Sequence, residues 1–497
     1  MRFRRHRPPI VELLSAWSDG PPPELPDEPP DDGRTIRWSA GALDGVVARH
    51  GDATVETERG ASLAELIEHA AGGEPSARDA LYEAARAEGI VFALDEALDA
   101  LARAGVPAEP VAELARRMAG EALHREPLKL AISLLGRAGD ERDVELLETV
   151  ARHDEFSLVG GVALASVLDD PIQAWWRVGC LASGWGRVEA VGRLADMEDE
   201  LPAEVRAWLL RDASSSAELP EHVAHMCARA GRLESALDGL VDDELLDGAC
   251  VILSALVAGG ATLDLEDYEP GPRVAAAVLD LLADRPPSVV RMWAVVDLRN
   301  WAEDYEQHVA IAERCGRLLA RPEARRFVAR RLERPAEVLR VWGIAESMGF
   351  DPWEAGWRHL ESTPVDAELY FQLARTPSRD RWARLIAHAE GALPLDALAA
   401  GPQDRLLPTG ADREAAHSLA QLVQEMRPGR WSAPLVATGL LSPVIFIRNG
   451  ALRALEHTAP ADWGEPVETA LRRLVEVEPT GDVRARAGEQ LSRLGME

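Results

Sequence analysis

The densest group of possible metal ligands in the sequence is Glu221-His222-x-x-His225. Histidines three residues apart on a helix can face one ion, and Glu221 would then be a third ligand. A metalloprotease motif would instead need histidines four residues apart with a glutamate between them, and this segment lacks that spacing. The alternative interpretation is a pair of solvated histidines beside a buried Cys227, and no cofactor is expected.

A second polar group, His153-Asp154-Glu155, follows the apolar Val150 at a predicted turn. The segment could supply a general base, but capping of the next helix is the favoured interpretation, because acidic residues stabilise helix N-termini. The sequence contains no GxSxG elbow, no Walker-type phosphate loop and no GxGxxG dinucleotide motif. No catalytic residue is therefore predicted.

Tryptophan is unusually frequent, with 14 residues against four tyrosines. Large rings can line an apolar ligand pocket or anchor a protein interface, and they can equally fill irregular space between helices. Adjacent Trp175 and Trp176 are the candidate binding residues, because consecutive helix residues point about 100° apart and one neighbouring helix cannot cover both. Core packing is expected for most of the others.

One basic segment stands out in an acidic chain. Residues 313–340 hold nine arginines and four glutamates. Within this segment Arg326, Arg330 and Arg334 are four residues apart, so on one helix they would share a face and could clamp a carboxylate or a phosphate. The alternative is that these arginines pair with acidic groups elsewhere on the surface.

The overall charge argues against several classes of function. The chain has 54 basic and 84 acidic residues, a net charge of −30, which opposes nucleic-acid binding because phosphate neutralisation needs a cationic surface. The longest uncharged stretches, residues 248–263 and 432–447, are too short to cross a bilayer, so no membrane partner is expected. The four cysteines form no CxxC pair and are expected to be small core residues, which favours a reducing, cytoplasmic location. Heavy use of arginine and alanine suggests a bacterial genome rich in GC.

The first 40 residues form a predicted N-terminal arm. The initial arginines are not followed by the apolar run of an export signal. Residues 21–30 include six prolines and three acidic residues, a composition typical of an extended, disordered spacer. Upstream, Ile10, Leu14 and Trp17 recur at helical spacing and predict a short amphipathic helix that docks on the body of the chain or, alternatively, on a partner.

From about residue 60, apolar residues recur every three or four positions, while β-hairpin signals are almost absent. An all-α fold is therefore expected. The clearest predicted helices are Leu63–Ala71, Arg78–Glu88, Val111–Leu123, Leu128–Arg137, Val144–Arg152, Ala203–Leu210 and Arg273–Ala283.

Internal repeats are visible in two forms. Three helix-turn-helix joints close with Gly139, Gly184 and Gly231, which are 45 and 47 residues apart, and each glycine is expected to take the left-handed conformation that ends a helix. A nine-residue pattern also recurs, in which a small residue is expected to let a neighbouring helix approach closely. Its copies are Ile447-Arg448-x-x-Ala451-x-x-x-Leu455, Val483-Arg484-x-x-Ala487-x-x-x-Leu491 and, without the arginine, Val159-Gly160-x-x-Ala163-x-x-x-Val167.

These residues resemble the HEAT family of α-solenoids. The segment 135–140 followed by Val144 and Leu147 is similar to the turn and second helix of one repeat, and Val483-Arg484 with Ala487 is similar to an inward helix. The match covers residues 126–168 and 442–494, whereas residues 232–430 depart from it. The resemblance implies an α-solenoid of antiparallel helix pairs, used for scaffolding and protein recognition.

Four regions are predicted: the N-terminal arm 1–40, N-terminal repeats 41–231, irregular repeats or an inserted helical domain 232–430, and C-terminal HEAT-like repeats 431–497. The leading hypothesis is a non-enzymatic scaffold that binds another protein through the groove that such repeats leave exposed. Two alternatives stay open. One is an oxygenase, hydroxylase or hydrolase with a tryptophan-lined pocket for an apolar small molecule, and the other is a helical-repeat protein that acts on nucleic acid through the arginine segment.

Overall fold

The structure is a computed structural model that describes residues 7–18, 20–29, 31–45, 56–215, 217–259 and 262–494. All regular elements in these residues are helical, and β-pairing among them is limited to two isolated bridges. The all-α prediction is confirmed.

The chain divides into two compact units. Unit 1 comprises Met1–Pro29 and Trp38–Leu318, and unit 2 comprises Pro30–Arg37 and Leu319–Glu497. The boundary after Leu318 lies inside residues 232–430, the segment whose sequence departs from the repeat pattern.

The helices of unit 1 are α1 (Ile10–Ser15), α2 (Thr57–Ala71), α3 (Pro75–Ala85), α4 (Val91–Ala104), α5 (Ala108–Glu121), α6 (Arg125–Ala138), α7 (Val144–Ala151), α8 (Asp154–Leu168), α9 (Pro171–Leu181), α10 (Trp185–Asp196), α11 (Ala203–Trp208), α12 (Pro220–Ala230), α13 (Leu233–Leu237), α14 (Asp243–Ala258), α15 (Gly271–Leu282) and α16 (Val289–Glu303). The boundary between the units falls within α17 (Val309–Ala320), after Leu318. The helices of unit 2 are α18 (Pro322–Leu332), α19 (Val338–Ser347), α20 (Trp353–Ser362), α21 (Ala367–Ala374), α22 (Arg379–Ala392), α23 (Leu395–Leu398), α24 (Arg413–Gln424), α25 (Ala433–Leu440), α26 (Ile445–Glu456), α27 (Glu465–Val477) and α28 (Gly481–Arg493). The 3₁₀ turns are Glu141–Asp143, Glu306–His308, Pro335–Glu337 and Pro460–Asp462, and Leu209–Ala213 is a π-helical turn.

Short polar side chains and prolines mark many helix starts. Asp170, Asp242 and Ser288 each accept a hydrogen bond from a backbone N–H in the first turn of α9, α14 and α16, respectively. Each bond satisfies a donor that the helix itself leaves unpaired. Pro171 occupies the first position of α9, where an N–H would have no intrahelical acceptor. These boundaries follow from local sequence.

Helices in both units pack against the helix two places along the chain. In unit 1 such contacts link α2, α4, α6, α8, α10, α12, α14 and α16 in one row, and α5, α7 and α9 pack on the following member of that row. In unit 2 similar contacts link α24, α26 and α28, and separately α25 and α27, and α21 packs against α24, three places along the chain. Each row therefore buries apolar faces between neighbouring helices.

Small residues set the closest of these approaches. A Cβ at Gly136 of α6 would lie 2.8 Å from the Cα of Ala163 in α8. Ala163 is the small residue of the nine-residue pattern in α8, so its predicted role in close helix packing is confirmed. Any larger side chain at either position would push the two helices apart.

The arginine of the nine-residue pattern has a structural role. Arg448 Nη1 donates to the Ser442 carbonyl at 2.8 Å, and Arg484 Nε donates to the Glu478 carbonyl at 2.8 Å. Each acceptor lies six residues before its arginine, near the end of the preceding helix. Because carbonyls at helix ends lack intrahelical donors, these guanidinium groups satisfy them and tie consecutive helices together.

The glycines that close the repeated joints are not left-handed, so that prediction was wrong. Their φ angles are −77° at Gly139, −96° at Gly184 and −71° at Gly231. A Cβ at Gly139 would instead lie 2.5 Å from the carbonyl oxygen of Leu135 and 2.6 Å from Oδ2 of Asp143, and one at Gly184 would lie 2.5 Å from Oδ2 of Asp154. At these two joints glycine is needed because neighbouring oxygen atoms come too close for a side chain.

The N-terminal helix α1 docks on the body of unit 1, as the sequence favoured. It packs against α5 and α7, with Ile10 and Leu14 buried. The expected disordered spacer makes specific contacts where the structure describes it. Leu25 is buried, and the carboxylate of Asp27 accepts a hydrogen bond from the backbone N–H of Arg125 at 2.9 Å.

Candidate functional site

Four charged side chains, three buried and one largely buried, meet in unit 1 and are called here the Lys129 cluster. The ammonium of Lys129, the single lysine of the chain, lies 2.7 Å from Asp44, 2.7 Å from Glu155 and 3.1 Å from Glu126. The Lys129 side chain is only 3% exposed. One cation is therefore shared among three carboxylates away from water.

Helix starts position these groups. Lys129 and Glu126 lie in the first turns of α6, and Glu155 lies in the first turn of α8. Carboxylates at these positions also complement the partial positive charge of a helix N-terminus. Glu126 in addition accepts the backbone N–H of Ile90, just before α4, at 2.7 Å.

Asp44 reaches the cluster from residues 41–45, a segment distant in sequence. Gly41 has φ of +71°, and a Cβ there would clash with the backbone carbonyl of Asp154. Its N–H also points to Glu155 at 3.4 Å. Glycine is required at this contact, which places residues 41–45 over the start of α8.

The electrostatics keep Lys129 charged. Burial alone would lower the pKa of Lys129, but Glu155, Asp44 and Glu126 outweigh burial and raise the pKa above its usual range. For Asp44, burial raises the pKa, and the attraction of Lys129 only partly opposes that rise. A lysine held protonated in this way is an ion-pair partner and not a nucleophile.

A cavity of about 520 Å³ adjoins the cluster and shares Asp44 with it. Its walls come from α4, α6, α8 and α10, with Phe92, Leu158 and Val162 among the apolar side chains. Val162 is 48% exposed, so the cavity opens to solvent. We call the surface of these four helices around the opening the cavity face.

The cavity has an acidic end and a basic end. The Lys129–Glu155 pair holds the start of α6 next to the start of α8. Asp154 of α8 accepts the backbone N–H of Gly186 in α10 at 3.0 Å, which brings the start of α10 to the same end. The three helices therefore run parallel. Asp44 lies beside their starts. Arg137 lies eight residues beyond Lys129, about 12 Å along the helix axis.

The two predicted tryptophans differ in exposure. Trp175 is 4% exposed and packs on Gly161, and the guanidinium of Arg193 lies 5.5 Å from its ring centre. Trp175 therefore cannot present its ring to a partner, and it instead supports Arg193 at the edge of the cavity. Trp176 is half-buried. No tryptophan of the described residues lines the cavity.

The three predicted arginines do not form one clamp. Arg326 and Arg330 lie on α18, but Arg334 lies beyond its last residue, Leu332. Arg326 pairs with Glu323 at 3.2 Å, and Arg334 pairs with Glu337 at 3.1 Å. The shared helix face was predicted wrongly for Arg334, because the helix ends before Pro335. Arg330 is exposed.

The predicted metal ligands face separate neighbours. The ring of His222 packs against Trp185 at 5.0 Å, whereas that of His225 meets Tyr268 edge-on at 6.2 Å. The carbonyl of Glu221 accepts a hydrogen bond from Thr262. Among the described residues, no group of three or more histidine, cysteine, aspartate or glutamate side chains is arranged to hold a metal ion.

The cysteines follow the sequence prediction with one exception. Cys227, Cys250 and Cys315 are buried, and burial raises the pKa of each thiol to about 12. Cys180 is exposed, so its predicted place in the core was wrong. It is the second-last residue of α9, where the helix face turns toward solvent.

His153 caps a helix, as predicted. Its Nδ1 accepts the backbone N–H of Glu155 at 3.3 Å at the start of α8. The ring is buried against Trp17 and Phe156, and burial lowers its pKa. The neutral imidazole acts here as a structural acceptor.

Sequence reasoning missed the Lys129 cluster and the cavity. One signal was present, because the single lysine follows Glu126 by three residues and stands among apolar residues of a predicted helix. The partners Asp44 and Glu155 carry no local signal, since only the packing of helices brings them to Lys129.

The comparisons with known proteins give no relative. No family model matches the chain, and no curated protein or solved structure is significantly similar to it. In the part of the chain that the structure describes, no helix combines the length and apolarity needed to cross a membrane. The molecule is thus defined by its helical fold and by an open cavity next to a buried charge cluster.

Proposed function

We propose that unit 1 is a HEAT-like α-solenoid and that this protein is a non-enzymatic scaffold that binds another protein through the cavity face. The observation that carries the proposal is the row of α4, α6, α8 and α10, which leaves an apolar cavity of about 520 Å³ open to solvent. In a solenoid each repeat buries apolar surface only against its neighbours, so one face stays available to a partner.

The openness of the cavity favours a polypeptide over a small molecule. Small-molecule sites bury about 70–90% of their ligand. Here Val162 in the wall is 48% exposed, so the cavity is open to solvent along this wall and is not enclosed. A polypeptide also contacts the surface around the opening, and those contacts add the missing buried area.

The charges around the cavity support recognition over catalysis. The ionisable side chains that line it among the described residues are Asp44, Asp95, Arg137 and Arg193. Asp44 is engaged by Lys129, arginine stays protonated at physiological pH and cannot exchange protons with a substrate, and Asp95 has no ionic partner among the described residues. Such a set supplies ion pairs and hydrogen bonds.

A cytoplasmic location is part of the proposal. The four cysteines are free thiols, and one of them, Cys180, is exposed. Oxidising compartments favour disulfides in secreted proteins, so unpaired thiols fit a reducing compartment better.

The proposal is tested by placing a photo-crosslinking amino acid at position 162 of the full-length chain in its native cells. We expect a discrete crosslinked protein. In a matching pull-down, Val162→Glu is expected to reduce retention of that protein by about tenfold, because it puts a charge into an apolar contact.

The matched control is Val477→Glu in unit 2, because Val477 is 50% exposed and has the same side chain. This variant should retain the partner as the unmodified chain does. Equal retention by Val162→Glu, or no crosslink at position 162, would refute the proposal.

A further inference from the structure

Two opposite charges on the cavity face have no ionic partner among the described residues. Asp95 on α4 and Arg137 on α6 both line the cavity and are exposed. The other exposed arginine at the cavity, Arg193, is already held by Glu189 at 2.7 Å. Asp95 and Arg137 are therefore the charges that an incoming partner meets.

Their separation follows from the helix geometry. Ile90, one residue before α4, bonds to Glu126 in the first turn of α6, so the two helices start side by side. Asp95 lies five residues beyond Ile90, and Arg137 lies eleven residues beyond Glu126. With a rise of 1.5 Å per residue and an interaxial distance of 8–10 Å, the two backbone positions are about 12 to 13 Å apart. They form no ion pair with each other in the structure, so both charges stay open to a partner.

The buried charges next to the cavity do not compete for the same partner. The carboxylate of Asp44 is bound by Lys129 at 2.7 Å, and that contact is already internal to the protein. The apolar wall between the two exposed charges includes Phe92 and Val162. A complementary partner thus needs an apolar group in the middle and a charge of opposite sign at each side.

We infer that the cavity face binds an amphipathic helix of the partner protein. An apolar side chain of that helix enters the cavity, a basic residue pairs with Asp95, and an acidic residue pairs with Arg137. A separation of about 12 Å corresponds to about eight residues of helix, so the two charges lie on one side, about two turns apart, with the apolar anchor between them. This inference rests on the proposed function, since it specifies the partner of the same surface.

The test is selection from a display library of helical peptides, panned against the full-length protein. Peptides that also bind Val162→Glu are removed by counter-selection. We expect the remaining peptides to carry an apolar residue flanked by a basic and an acidic residue about eight positions apart. Arg137→Glu should weaken the binding of a consensus peptide by about fivefold, because an attractive rim pair becomes repulsive.

Reversing the charges on both the peptide and the protein makes the test specific for the two ion pairs. A peptide whose acidic residue is changed to lysine should regain affinity for Arg137→Glu, and Asp95→Arg should show the same behaviour at the basic residue. The matched control is Arg453→Glu in unit 2, another exposed arginine, which should leave binding unchanged.

The outcomes separate the two proposals. Val162-dependent peptides without a charge preference, or peptides that bind Arg137→Glu equally well, would overturn this inference and leave the proposed scaffold function in place. Failure to recover any Val162-dependent peptide while position 162 still crosslinks to a partner would also overturn the inference. Absence of both peptides and crosslinks would overturn both proposals.

Discussion

Two groups of buried charges, one in each unit, show different ways of holding ions away from water. In unit 2, Arg448 and Glu478 are both fully buried and meet one to one, with Nε 2.7 Å from Oε2. In unit 1, the ammonium of Lys129 faces three carboxylates. Because each buried ion loses several kcal/mol of hydration, both groups must be compensated locally.

The two groups of buried charges are compensated by different sets of partners. Arg448 also donates to the carbonyls of Ser442 and Gln403, each at 2.8 Å, so the partners of this pair all belong to unit 2. The Lys129 cluster keeps an excess of negative charge, part of which is balanced by Arg125, 3.9 Å from Glu155. It joins residues 41–45 to α6 and α8 beside the cavity. The first group ties helices together, whereas the second fixes one end of the candidate binding surface.

Lys129→Met is expected to have the largest effect of the substitutions that test this comparison. It leaves three buried carboxylates without their ammonium, which should lower the free energy of unfolding of unit 1 by about 3–5 kcal/mol. Lowering the pH should restore part of the loss, because protonation removes the unpaired charges. Urea unfolding measures the loss, and hydrogen exchange in residues 41–45 locates it. Retained protection of those residues in the variant would contradict the role given to Lys129.

Arg448→Met is expected to have a somewhat smaller effect and to lower the free energy of unfolding of unit 2 by about 3 kcal/mol, because it leaves a single buried carboxylate without its cation. Adding Glu478→Gln should recover about 1 kcal/mol, since the amide keeps an acceptor for Thr480 N–H without a charge. In unit 1, the corresponding addition of Glu126→Gln to Lys129→Met should recover less, because two carboxylates remain. Equal recovery in both units, measured by urea unfolding, would remove the distinction between the two groups.

Local sequence was enough to predict much of the fold. Helical spacing predicted α1 and its docking, since Ile10 and Leu14 form one apolar stripe that must be covered. The His153 cap was predicted from the turn after Val150 and from the acidic residues that follow His153. The signals for such features lie in residues within one or two turns of each other, so they can be read without knowing the tertiary contacts.

The candidate site depends on distant residues, which explains why it was not predicted. Asp44 lies 85 residues before Lys129, and Glu155 lies 26 residues after it. No periodicity links such positions, and a charged residue in a helix is usually solvated. The role of Gly139 was also missed, because its reason is the approach of the Leu135 carbonyl oxygen and the Asp143 carboxylate and not a left-handed backbone.

Asp154 is a third case for this comparison. Its carboxylate is largely buried, but it has no close ammonium or guanidinium partner such as Lys129 or Arg448 provides in the two groups above. Its hydrogen-bond donors are the backbone N–H groups of Gly186 and Gly184. Burial raises its pKa to about 6, and the nearby charge of Glu218 adds to the rise. Since the folded pKa lies above that of the unfolded chain, Asp154 stabilises the fold in its protonated form. That contribution is complete below about pH 4 and is lost as the pH rises through 6.

Asp154→Asn is therefore expected to stabilise unit 1 at pH 7 by about 1–2 kcal/mol and to have little effect at pH 4, because the amide keeps the acceptor for Gly186 without a charge. Urea unfolding at the two pH values measures the difference. The matched control is Asp140→Asn, where hydrogen bonds from Arg142 hold the pKa of the carboxyl far below its usual range, so the same substitution should destabilise at pH 7. A loss of stability at pH 7 in Asp154→Asn would show that the ionised carboxylate is compensated after all, and that a buried carboxylate in this protein does not need a side-chain cation.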